Sequence, residues 1–293
     1  MFYDFETTTY GKWILAGEHA VLRGHGALVF PIKGKTLTLR YNASSPELQA
    51  EYSGPNGADM QLLFWSVLGQ GQQLLGQSLN RLTGQFHIDC SVPIGEGMGA
   101  SAALCVAMAR WFAAQNMLTN ESVASFARKL EDLFHGKSSG LDIAGVSAEN
   151  GIYFNQGNTT ELTRSWQPQW YLSSCGQVGI TSHCIHQVDQ LWQSNPQQAL
   201  ELDLIMHQSV EKCRQALENN SHGSLMQLKE AMQESASCFK AWGLVSEGLA
   251  QHMKVLSDHG AIAVKPTGSG GGGYVISLWD HPPKDLPFEL IPG

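Results

Sequence analysis

Pro93-Ile94-Gly95-Glu96-Gly97-Met98-Gly99-Ala100-Ser101-Ala102-Ala103 passes abruptly from a glycine-rich loop into an alanine-rich helix. Glycines at 95, 97 and 99 let the backbone turn tightly and bring its N–H groups close to a ligand. A helix starting near Ala100 adds unpaired donors and the positive end of its dipole. Such a junction suits an anion, with a nucleotide phosphate as the natural tenant; the competing reading is a tight turn into a buried helix. Upstream, Phe86 to Val92 reads as the strand that delivers the chain into the loop. Downstream, Ala100 to about Asn116 is apolar on nearly every face, the pattern of a helix buried within a domain.

Further out, a second helix is predicted over 122–134, with Val123, Phe126, Ala127, Leu130, Leu133 and Phe134 on one stripe and Glu131 at its border. Residues 13–15, 27–31 and 36–41 read as strands, Leu37 and Leu39 alternating with polar neighbours. The polar run from Asn155 to Gln169 is the candidate domain boundary. After it come a predicted strand at 170–174, helices over 196–218, 224–241 and 245–258, and strands over 261–265 and 274–279. The last two strands enclose a second glycine run, Thr267-Gly268-Ser269-Gly270-Gly271-Gly272-Gly273. Either backbone there approaches another surface or a ligand closely, or the hairpin is floppy. Helix and strand patterns intermixed without a fixed-period repeat predict a mixed α and β architecture.

The chain has 293 residues, enough for one large or two modest domains, and a formal charge of −8 that argues against a nucleic-acid binder. A polyanion would be bound with magnesium. Six scattered cysteines without a CxxC pair suit a reducing compartment. With neither an apolar leader nor an apolar run of membrane-spanning length, the expected location is cytoplasmic. Other motif matches fail. Gly34-Lys35-Thr36 and Gly136-Lys137-Ser138 resemble the end of a Walker A loop, but Val29 and Glu131 stand where its first glycine belongs. Gly95-x-Gly97-x-x-Ala100 lies too far along the chain for a dinucleotide fingerprint. His183-Cys184-Ile185-His186 lacks a partner pair with zinc spacing and reads as strand or loop.

Three blocks, Gly11-Lys12-Trp13-Ile14-Leu15-Ala16-Gly17-Glu18-His19-Ala20-Val21-Leu22, Pro93 to Ala103 and Lys265 to Gly273, resemble in order and spacing the three signature motifs of the GHMP small-molecule kinases. Within that superfamily the first block is similar to the mevalonate kinases. So is a fourth stretch, Glu131-x-x-x-His135-Gly136-Lys137-Ser138-Ser139-Gly140-Leu141-Asp142. The resemblance implies an α+β, two-domain GHMP kinase fold. Residues 1–165 would form the nucleotide-binding and catalytic domain, ribosomal protein S5 domain 2-like, and residues 166–293 a ferredoxin-like α/β sandwich. It implies ATP and Mg2+ as cofactors and a small-molecule acceptor, mevalonate or a related alcohol. It implies no nucleic-acid or membrane partner and leaves homodimerisation open.

Carried over residue by residue, the resemblance makes Asp142 the base that accepts the acceptor's hydroxyl proton and Lys12 the cation beside it. Glu131 and Ser101 would hold Mg2+. Pro93, Gly95, Glu96, Gly97, Met98, Gly99, Ala100, Ser101 and Ala102 would line the nucleotide, and Lys12, Glu18, His19, Asp142, Gly268 and Ser269 the substrate. The chain departs from the family pattern at Tyr10 and Ser138, where proline is usual, and at Ala100, where one of two loop hydroxyls is missing. Phosphomevalonate kinase, galactokinase and homoserine kinase activities are the alternatives within the superfamily. A non-catalytic ligand sensor is the alternative outside enzymology, and the presence of Lys12, Glu131 and Asp142 together argues against it.

Overall fold

The computed structural model describes residues 3–78, 82–118, 120–135 and 138–293, the side chain of His135 excepted. In chain order its elements are β1 (Phe5–Ala16), a 3-10 turn (Ala20–Arg23), β2 (Ala27–Asn42), β3 (Gln49–Ser53), α1 (Met60–Leu74), β4 (Gln85–Cys90), α2 (Ala100–Ala114), α3 (Val123–His135), α4 (Leu141–Ser147), β5 (Ile152–Asn155), β6 (Asn158–Glu161), β7 (Gln169–Ser174), α5 (Thr181–Ser194), α6 (Pro196–Glu218), α7 (Ser224–Ala241), α8 (Glu247–Asp258), β8 (Ala263–Pro266), β9 (Tyr274–Trp279) and β10 (Ile291–Pro292). They pack as two compact units that interleave along the sequence. The first comprises Met1–Lys12, Pro31–Ile94 and Gly99–Glu149; the second comprises Trp13–Phe30, Gly95–Met98 and Asn150–Gly293. This division differs from a single cut between 165 and 166, because β1 and β2 each run from one unit into the other.

In the first unit, β3 runs parallel to β4, and β4 pairs antiparallel with the second half of β2, from Leu37↔Cys90 to Asn42↔Gln85. The alternation read from Leu37 and Leu39 places both side chains, and Tyr41, in the core. There Tyr41, Phe86, Trp111 and Phe64 form a chain of aromatic contacts with centroids about 5 Å apart. Helix α2 is buried on nearly every face by alanines and other small or apolar residues, as its composition predicts, and α1, α3 and α4 pack against it. Gly71 of α1 allows close packing there: a Cβ would run into the Phe112 ring.

The second unit holds an antiparallel four-stranded sheet in the order β10-β7-β9-β8. Helix α7 packs on β8 and pairs with α6, which also meets α5. The first residues of β2 pair with β5 in the same unit, and β5 continues into the β5–β6 hairpin. Two sequence expectations change here. Residues 27–31 and 36–41 belong to one uninterrupted strand, the stretch between them including the exposed Lys33 and Gly34. The polar run from Asn155 to Gln169 opens with a hairpin turned by Gln156 and Gly157, both at positive φ, and leading into the exposed β6. His183 to His186 lie in α5, where burial of Cys184 and Val188 sets a helical period instead of a strand's.

Candidate active site

In the first unit the chemistry-bearing residues lie on β1, at Lys12, on α3 and on α4. Lys12 is buried on β1, and its Nζ lies 2.9 Å from Oδ1 of Asp142, whose side chain is 32% exposed. Helix α4 starts at Leu141 after Gly140, a left-handed N-cap, so Asp142 sits in its first turn. Negative charge at that end of a helix is favourable. The loop before α4 is fixed by side chains: the Ser138 N–H donates to Asp132 Oδ1 at 2.7 Å, and Arg128 Nε donates to the Ser138 carbonyl at 2.9 Å. The Ser138 hydroxyl in turn donates to Glu131 Oε2. Gly136 and Lys137, which complete this block, lie outside the described residues.

Glu131 is 1% exposed, not on a helix border. Its carboxyl is pushed up to about 8, first by burial and then by the charge of Asp142, against the opposing pull of Ser138 and Lys12. Its Oε1 is buried and has no hydrogen-bond partner among the described residues. A buried carboxyl oxygen left over in this way fits a ligand for a hard cation, whose charge would favour the ionised form. The partly buried Ser101, at the start of α2, offers a hydroxyl of the kind such an ion accepts. Ala100 and Ala102 are buried beside it in the sequence. Gly99, the left-handed N-cap of α2 at φ 80°, passes so near Lys12 that a Cβ would lie 3.0 Å from its Cγ.

In the second unit the loop Gly95–Met98 lies against the second glycine run. Gly95 and Gly97 adopt positive φ, as do Gly268, Gly270, Gly271 and Gly273. Glu96, Gly97, Thr267, Ser269 and Gly273 line a small crevice between the two loops. The second run is ordered by close backbone approach, not a floppy hairpin: Gly271 N–H donates to the Leu244 carbonyl at 2.7 Å, and Gly273 N–H to the Gln177 carbonyl at 2.6 Å. A Cβ on Gly273 would lie 2.6 Å from the Glu96 carbonyl oxygen. Met98 is buried, whereas Pro93, assigned to the first unit, is half-buried.

Glu18 and His19 follow β1 in the second unit. Glu18 Oε1 is 2.5 Å from Nζ of Lys265, and both side chains are buried. Thr267 Oγ1 accepts from the Ile14 N–H at 2.8 Å and donates to the Ile14 carbonyl at 3.0 Å, so the third block is fastened to the first. His19, at φ 60°, places Nε2 2.8 Å from the Ser269 carbonyl and its ring centroid 5.1 Å from that of Trp242. Because a carbonyl only accepts, Nε2 carries the proton. Burial lowers this imidazole to about 4, so it is neutral near pH 7. Site reasoning from sequence gave no role to Lys265, and marked Ser138 only as a departure from the family pattern. Lys265 opens the third quoted block, but no sequence signal pairs it with Glu18 across so long a stretch of chain.

Two family models match the chain: GHMP kinases N terminal domain over residues 64–149 and GHMP kinases C terminal over 213–285, together more than half of it. The mevalonate kinase of Thermococcus sibiricus is 25% identical over 291 residues, covering 91% of this chain and 86% of that protein. The crystal structure of L. major mevalonate kinase in complex with R-mevalonate is similar with a TM-score of 0.77 at 24% identity, covering 94% of this chain and 87% of that one. The Streptococcus pneumoniae phosphomevalonate kinase is similar with a TM-score of 0.71 at 18% identity, covering 96% and 92%. Backbone likeness of this kind carries the fold; the acceptor depends on the site.

Proposed function

Because the chain belongs to the GHMP kinases, we propose that this ATP-dependent kinase phosphorylates the primary hydroxyl of mevalonate, giving 5-phosphomevalonate and ADP. The buried Lys12 paired with the partly exposed Asp142 carries the chemistry. Lys12 fixes the orientation of the carboxylate through Oδ1, leaving Oδ2 to accept the acceptor's hydroxyl proton. The Lys12 charge favours the alkoxide character that develops as the proton leaves. The acceptor assignment is supported by the similarity to curated mevalonate kinases over nine-tenths of the chain. The glycine loop from Gly95 to Gly99 and the start of α2 would cradle the triphosphate.

Glu131 and Ser101 would hold Mg2+, which when bound supplies charge neutralisation for the nucleotide's phosphates. Glu18, His19, Gly268 and Ser269 would lie on the acceptor side, with His19 presenting a neutral ring. The two family domains are proposed to divide between 165 and 166, in the interval separating the two matched regions. Phosphorus NMR of the product tests the assignment: a phosphomonoester on the terminal CH2 of mevalonate supports it. A product phosphorylated at the tertiary hydroxyl, or none, contradicts it.

A further inference from the structure

Glu96 is an unexpected residue for an anion loop, since a carboxylate among phosphates repels them. Its side chain is restrained. Oε2 accepts a hydrogen bond of 2.8 Å from Ser174 Oγ at the end of β7. The same hydroxyl accepts from the Gly176 N–H at 3.1 Å, which orients its single proton toward Glu96. The strand end carrying Ser174 is fixed as well: Cys175 N–H donates to the Gly273 carbonyl at 2.9 Å, and Tyr274 pairs with Ser174 across the sheet. The Tyr274 phenol, pushed up to about 12 mainly by burial, is raised further by the Glu96 charge.

We propose that Glu96 is a positioning residue for the nucleotide, latched to Ser174 so that the loop Gly95–Met98 is held on β7 with its carboxylate drawn away from the anion. The proposal rests on the reading of this loop as the phosphate site. The latch acts before the nucleotide arrives: it removes loop conformations that binding would otherwise have to order.

Titration of a fluorescent ATP analogue with Mg2+ against the full chain tests this without reference to the acceptor. Ser174→Ala is expected to weaken the analogue's Kd about fivefold, the scale of a hydrogen bond to a charged group lost indirectly. Ser174→Thr, which keeps the hydroxyl, is expected to restore it to within about twofold, a rescue that a packing role would not give. In the Ser174→Ala background, Glu96→Ala should cause no further loss, because both variants break one interaction. An unchanged Kd in Ser174→Ala, or a further loss of similar size on adding Glu96→Ala, overturns the latch. Gly97→Ala separates the two readings, since a Cβ there has room but the φ of 81° is strained. If Gly97→Ala weakens the analogue and Ser174→Ala does not, the latch alone fails; if neither does, the phosphate reading of the loop fails with it.

Discussion

Asp142 and Lys12 make the account testable one atom at a time. Asp142→Asn keeps the shape and removes the proton acceptor. It is expected to lower kcat at least about 100-fold while leaving nucleotide affinity within a few fold, as read by steady-state kinetics and ATP-analogue titration. Unchanged turnover would remove Asp142 from the role of base. His19 gives a pH signature. Its buried ring titrates near 4 against 6.5 when exposed, so the stability it confers is complete above pH 6.5 and is lost as pH falls from there toward 4. The loss amounts to roughly 3 kcal/mol at the low end of that window. His25 and His252, also lowered mainly by burial, add in the same direction. Urea unfolding at pH 7.5 and pH 5 should show the fall, and His19→Gln should reduce it; an equal fall in the variant would contradict the assignment. The pairing of Lys12 with Asp142 was legible in the sequence blocks. The burial of Glu131 was not, because a border position on a helical stripe does not reveal the loop that Ser138 folds over it.

The elements most legible in the sequence were those whose pattern is local. Helix α2 starts at Ala100, where the glycines end, and the stripe of α3 places Phe126, Ala127 and Leu130 in the core. Helices α1 and α5 escaped because glutamine, glycine and histidine dilute their periodicity, and tertiary packing supplies what propensity does not. The second glycine run was legible as a place of close approach, but not what it approaches. That distinction is measurable. Gly273→Ala brings a Cβ to 2.6 Å from a backbone oxygen at a φ of 78°, and should cost at least about 2 kcal/mol in urea unfolding. Gly157→Ala, at φ 86° with nothing within 4 Å, should cost only about 1 kcal/mol. Equal costs would mean that strain alone, not close approach, explains the run.

At the scale of the molecule, the interleaving of the two compact units is the feature furthest from the sequence. Segmentation by composition finds polar intervals, whereas compactness is decided by contacts between residues far apart in the chain, and β1 and β2 serve both units. No helix among the described residues is long and apolar enough to cross a membrane. The net charge of −8 sets a general repulsion against a nucleotide polyanion, so affinity for ATP is expected to fall sharply when Mg2+ is removed by EDTA. Equal affinity with and without the ion would contradict the role given to Glu131 and Ser101. The fold alone accommodates several acceptors, as the likeness to a phosphomevalonate kinase shows. The central claim is therefore best tested by ADP release from Mg·ATP with mevalonate, phosphomevalonate, galactose and homoserine compared side by side. Release driven strongly by mevalonate, and weakly or not at all by the other three, is the predicted result. Faster release with any of the others, or none with mevalonate despite measurable ATP binding, would contradict it.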